Sequence, residues 1–343
     1  MRAVAAASRP PRARARVSTP WLAAAAALSV GLWLAAELAL QRPIQARYAE
    51  MLMAARTMQA ASDVLLAQKS ARGLMPPPEA DPNRTGMVGQ EYTPITTTLG
   101  DLASKRTATN PDLAAALVRV IASLDLPRGM PVVIVLSGSF VGANVATLAA
   151  VETLGLKPIV IVSLSASMWG ANDPQLNWLD MAALLRERGV IRARTTAAVL
   201  GGDGAVGGGM EADSVALLRA SAARDGVPIV EARPLAALID ALLGRIDGAL
   251  GEGTRARAVI NVGGALIGLG SCRESYEFPP GLTLRPVACT AGTPGLAMRL
   301  SQQGLPLLHV LNMRRLALEL GLPFDPMPLP TPGDNPAVYG SAR

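Results

Sequence analysis

From Asn110 onward, short unbroken runs of aliphatic residues alternate with helical segments, and this alternation limits the fold more than any other feature of the chain. The apolar runs are 132–136, 159–162, 197–200, 228–230, 258–262 and 307–310. Helical segments lie between them at 111–124, 141–154, 176–188, 211–225 and 235–250. Asn110 offers an N-cap oxygen and Pro111 suits a first helical position. Strands without polar alternation need cover on both faces. Residues 111–321 are therefore expected to form an α/β domain. Its sheet would be mostly parallel, doubly wound and Rossmann-like, with helices on both faces.

A second constraint precedes this domain. Residues 21–40 are apolar apart from Ser29 and Glu37, and Arg2, Arg9, Arg12, Arg14 and Arg16 come before them. Twenty helical residues rise about 30 Å, close to the hydrocarbon thickness of a bilayer. A basic flank of this kind stays in the cytoplasm. The expected order is a basic cytoplasmic tail over 1–20, a single transmembrane anchor over 21–40, and a main domain outside the cytosol. A cleaved signal peptide fits less well, because the apolar core exceeds the usual ~7–15 residues and no A-x-A site follows. The five arginines carry most of a formal net charge of +6, which leaves the body near neutral. With only 3% aromatic residues, a nucleic-acid surface is not expected.

Residues 41–75 read as a juxtamembrane helix. Ile44, Tyr48, Met51, Ala55, Met58, Ser62 and Leu65 recur at alternating four- and three-residue steps, a seam that would pack on this domain or on a second copy. Residues 76–110 form a Pro- and Thr-rich stretch with neither helical nor strand period. It is either an ordered loop over a site or a surface wrap. Six prolines in 322–343 predict an extended tail. Cys272 and Cys289 are the only cysteines and His309 the only histidine. The cysteines either pair in an oxidising compartment or fill core positions. A His-rich metal site is excluded, and no cofactor is expected.

In an open parallel sheet, ligands bind beyond the carboxyl ends of the strands. Small hydroxyl, amide and glycine residues gather at those ends in the sequence. Ser137, Gly138 and Ser139 follow the first strand, with Asn144 one turn into the next helix. Ser165, Asn172 and Asp173 follow the second; Asn261, Gly263, Gly264 and His309 close the last two. Such residues let backbone N–H groups approach an anion or a developing oxyanion, although they are also ordinary in tight turns. Ser137 and Ser139 are candidate nucleophiles, with His309 or Lys105 as candidate base. Nothing in the sequence puts Lys105 and either serine within reach, and a solvated lysine is the expectation. The Gly202–Gly207 run matches G-x-G-x-x-G before a helix. It continues into Gly208 and Gly209, so composition alone makes the match easy, and a domain outside the cytosol would lack NAD.

Several of these segments resemble a known family, the poly-gamma-glutamate system protein. The resemblance rests on Asp81-Pro82-Asn83-Arg84-Thr85-Gly86, Thr93-Pro94-Ile95-Thr96-Thr97, Ser137-Gly138-Ser139-Phe140 and Ser167-Met168-Trp169-Gly170-Ala171-Asn172-Asp173-Pro174. It continues through Asn261-Val262-Gly263-Gly264 and His309-Val310-Leu311-Asn312. It implies a membrane-anchored accessory protein for the synthesis or export of poly-gamma-glutamate, an anionic capsule or slime polymer. The partner would be the polymer or its synthase. The resemblance supplies no reaction. A serine-dependent amide hydrolase or acyl transferase on the gamma-glutamyl polymer, and a purely structural partner of the synthase, remain as alternatives.

Overall fold

A computed structural model describes residues 19–40 and 45–340, with the side chains of the first helix described through Ala35. The basic segment 1–18, Ile44 of the seam and residues 341–343 lie outside the described residues. Helix α1 (Thr19–Leu40) belongs to one unit and Ile44–Gly340 forms the other. On α1, Trp21, Leu22, Leu28, Val30, Leu32, Trp33 and Leu34 are all exposed. Among the described residues, no helix is long and apolar enough to cross a membrane. The last part of the apolar run, 36–40, falls beyond the described side chains.

The main unit is an α/β layer structure around six strands. These are β1 (Pro131–Ser137), β2 (Lys157–Ser163), β3 (Thr195–Val199), β4 (Val259–Val262), β5 (Gly281–Thr283) and β6 (Leu307–Val310). Their order across the sheet is β3-β2-β1-β4-β6-β5. Every neighbouring pair is parallel except β6 with β5. The sheet is thus mixed and mostly parallel, as the aliphatic runs imply. Alternate residues enter opposite cores, as the two-residue period of a strand requires. On β1, Val132, Ile134 and Leu136 join one core, while Val133 and Val135 join the other.

The first core is closed by α4 (Asp112–Ala122), α5 (Val141–Thr153) and α6 (Trp178–Glu187). Helix α2 (Tyr48–Arg72) packs over α4 and α5. It buries Met51, Ala55, Met58, Ser62 and Leu65, so the heptad-like seam is an intramolecular packing stripe. The second core takes α8 (Leu235–Leu250) and α10 (Leu296–Gln302). Helix α4 starts at Asp112 with Pro111 at the cap position, one residue later than expected, and the Asn110 side chain accepts from Asp112 N at 3.0 Å. Helix α7 (Ala212–Arg224) lies between the expected bounds. Residues 228–230 differ from expectation and make only a bridge, Ala198 to Ile229. Edge strand β5 was not expected, because three residues after Pro279-Pro280 carry no readable period.

The 76–110 stretch is ordered. Thr96–Thr98 pairs in parallel with Ala166–Ser167, and α3 (Leu102–Thr107) follows, capped by Asp101, whose carboxylate accepts from Ser104 N at 2.8 Å. The proline-rich tail is extended yet docked. Arg106 makes a two-point ion pair with Asp325, and Asn83 Nδ2 donates to Pro326 O at 2.9 Å. A single turn, α12 (Pro336–Tyr339), buries Val338 and Tyr339 against the first core. Cys272 and Cys289 form a disulfide with Cα atoms 5.6 Å apart.

Candidate functional site

The connections after β1 and β4 leave the sheet on opposite sides, so the carboxyl ends of these neighbouring strands diverge at a topological switch point. A cleft of about 540 Å³ opens there. Ser137 at the end of β1 and Ser139 after it, Ser163, Ser165 and Ser167 at and after β2, and Ser104 on α3 contribute hydroxyls to its lining. Gly201–Ala205 after β3, and Gly264 with Ala265 after β4, complete the rim. Lys105 is the only basic side chain among the lining residues; Asp101 and Asp203 are the acidic ones. Leu99 and Tyr276, both exposed, stand at the cleft with Phe140 and Leu266 as apolar lining.

Two glycines allow the close approach. At Gly138 a Cβ would come within 2.8 Å of Leu164 O. Gly263 adopts φ +82° and a Cβ there would lie 3.0 Å from Ser137 Cβ. A side chain at either position would push apart the loops that bring the serines together.

Lys105 is the unexpected centre of the cleft. It sits on α3 yet is only 4% exposed. Its Nζ donates to Ser167 Oγ at 2.8 Å and to the main-chain oxygen of Ser139. The same Nζ lies 3.9 Å from the centroid of the Phe140 ring. Burial pushes the amine down to about 7, with Asp101 pulling the other way. Ser167 N donates to Ser139 Oγ at 2.9 Å. Ser139 thus holds both groups, the amine through its main-chain oxygen and Ser167 through its Oγ. A hydroxyl beside a loosely protonated amine is chemically able to give up its proton.

The serines expected from the sequence do line this cleft, in different roles. Ser137 Oγ accepts from Ser139 N at 3.1 Å, and Ser139 braces both Lys105 and Ser167. Ser165 Oγ accepts from Gly202 N at 3.0 Å and from Thr97 Oγ1 at 3.2 Å. Lys105 meets Ser167, not the side chain of Ser137 or Ser139. The missed signal was Ser167, which the sequence places 62 positions from Lys105 with no local pattern joining them.

Other expected residues stand behind the cleft. Asn144 Nδ2 donates to Ser137 O at 2.9 Å and holds the end of β1. Asn172 clasps the 76–110 loop, bonding Gln90 N and O at 3.0 and 2.8 Å and Thr96 Oγ1 at 3.0 Å. Asp173 closes a turn, accepting from Gln175 N at 2.8 Å, and lies near enough to Lys69 to attract its charge. Asn261 Nδ2 bonds Gly263 O at 2.9 Å and lies 3.2 Å from His309 Nδ1.

His309 does not reach the cleft. It faces the second core from β6, beside Phe278, and burial pushes it down to about 4. A period of two decides this, because Leu308 and Val310 take the other face. Three amides of the Gly202–Gly207 run turn back on the same loop. Ala205 N bonds Gly202 O, Gly207 N bonds Gly201 O and Asp203 N bonds Gly208 O. Helix α7 starts only at Ala212, so these amides are not aimed at a phosphate in the manner of a dinucleotide loop. Among the described residues, no three His, Cys, Asp or Glu side chains gather as a metal site would need.

Comparison of the chain with protein-family models, with curated proteins and with solved structures finds no match.

Proposed function

We propose that this chain is a membrane-anchored, extracytoplasmic protein of poly-gamma-glutamate synthesis or export. In this reading the strand-end cleft receives one chain end of the polymer. The observation that carries the cleft assignment is its lining, in which hydroxyls and loop backbone surround a single buried amine. A length of polyanion would call for basic side chains along its path, and Lys105 is the only one at the cleft. A single acyl or carboxyl end needs no such track.

The segments quoted from the sequence support the process, since they resemble that family from Asp81 to Asn312. The disulfide supports the compartment, because such bonds persist in oxidising surroundings. The arginine-flanked run 21–40 and the apolar, exposed residues around α1 support an anchor. Deleting the gene in a polymer-producing host should lower polymer output or change its length. Unchanged polymer there would remove the reading. A purely structural partner of the synthase would instead remain functional after the cleft is blocked by a bulky side chain at Ser165.

A further inference from the structure

We propose that Ser167 is a nucleophile and Lys105 its general base, making the cleft a site of acyl transfer at an amide carbonyl. The reading above supplies only the substrate class, a gamma-linked glutamyl amide. The pair itself rests on the geometry of the cleft.

The contacts of Lys105 are a hydroxyl, a main-chain carbonyl and an aromatic ring. None is a carboxylate, so a buried ammonium here is costly. The free amine is correspondingly accessible near neutrality, and Nζ stands 2.8 Å from the Ser167 hydroxyl oxygen, to which it donates while protonated. Lys69 shows the contrasting case of a lysine used as a strut. It is equally buried and, like Lys105, feels carboxylates at a distance, but its Nζ donates to a main-chain oxygen, Val88 O, at 2.8 Å, and it is not among the cleft-lining residues. Ser167 is also braced as a reacting group must be. Its N–H bonds Ser139 Oγ, and its short strand pairs with Thr96–Thr98.

In the first step the Ser167 Oγ–H bond breaks and its proton passes to the neutral Lys105 amine. Oγ meanwhile bonds to the carbonyl carbon. The tetrahedral adduct collapses by breaking the C–N bond, and Lys105 returns the proton to the departing amine. An acyl ester on Ser167 remains. Water, or the amine of a second chain, then attacks this ester. That nucleophile loses a proton to Lys105, the ester C–O bond breaks, and Ser167 Oγ takes the proton back. No oxidant, metal or cofactor enters the balance.

The test is labelling of the full chain in detergent with a fluorophosphonate, the adduct being mapped by mass spectrometry. The expected result is modification at Ser167 with a rate that rises with pH through about 7. S167A should abolish that adduct, and K105M should slow it about 100-fold or more, within the usual range of a general base. Thermal melts of both variants report folding, and S167C keeps a nucleophile at the same atom for alkylation if S167A melts early. No adduct at Ser167, or an unchanged rate in K105M, overturns the dyad. In the polymer-producing host, rescue of a deletion by S167A would leave the process assignment standing and remove the dyad. Labelling at Ser167 with unchanged polymer after deletion would do the reverse.

Discussion

Two buried side chains set opposing pH dependences, each readable by substitution. Asp112 is buried at the start of α4, where burial pushes its carboxyl up to about 6 against the hydrogen bond from Tyr339 OH at 2.7 Å. Between its ordinary value near 4 and about 6, the native state holds a proton that the unfolded state has released. Stability from this group therefore falls as pH rises through that window. His309 acts in the opposite sense. Its native value near 4 lies below the ordinary 6.5, so the unfolded state binds more protons between those limits and stability rises with pH. The two slopes offset one another in the native chain. D112N keeps an acceptor for Tyr339 and removes the falling slope. Denaturant unfolding of D112N should then show stability rising by roughly 1–3 kcal/mol from pH 4 to pH 6.5, while H309L should show a fall. A D112N profile matching the native one would refute the assignment. H309L should also leave Ser167 labelling within about twofold, because His309 does not line the cleft.

Helix α3 is the element on which the site depends, and its stability comes from its ends. It has six residues, too few to hold itself in water, and Asp101 satisfies its first turn through Ser104 N. D101A should cost about 1 kcal/mol of stability and slow Ser167 labelling, because the fraying turn carries Lys105. D101N keeps a capping oxygen and deletes a charge that holds protons on Lys105. It should retain labelling and shift its pH midpoint downward; loss equal to that of D101A would argue against the cap. The same helix marks the limit of what the sequence made legible. Helix α8 and strand β6 run over the expected residues, since a sixteen-residue periodic segment and a continuous aliphatic run declare themselves. In contrast, α3 and β5 were missed because their form is imposed by tertiary packing rather than by local pattern. The strand-end serines were legible as a group, because sheet topology alone sends them to one rim. The Lys105–Ser167 contact was not, since it requires the 76–110 loop to fold back over the segment after β2.

At the scale of the whole molecule, one covalent link tests both stability and sidedness. The Cys272–Cys289 bond closes a loop of 17 positions that carries Tyr276 at the cleft. Opening such a loop frees the unfolded chain, so the double variant C272S/C289S should lose about 2–4 kcal/mol. It should also melt at the same temperature with or without reductant, whereas the native chain should melt lower in reductant. The bond further depends on where the body resides. Cytosolic thiol pools keep such pairs reduced, and an oxidising compartment allows them to close. Trapping living cells with acid and then treating them with a mass-shifting maleimide reads this state directly. With the body outside the cytosol, both cysteines should resist the reagent until a reductant is added, and then both should react. The arginines before Trp21 should control the outcome, because positive charge decides which flank of a span stays inside. For the anchor proposed above, moving five arginines from before Trp21 to just after Leu40 should invert its orientation and leave the thiols free in trapped cells. Free thiols in cells carrying the native chain would refute the extracytoplasmic assignment, while a purified chain with the bond intact would still support the fold and the cleft.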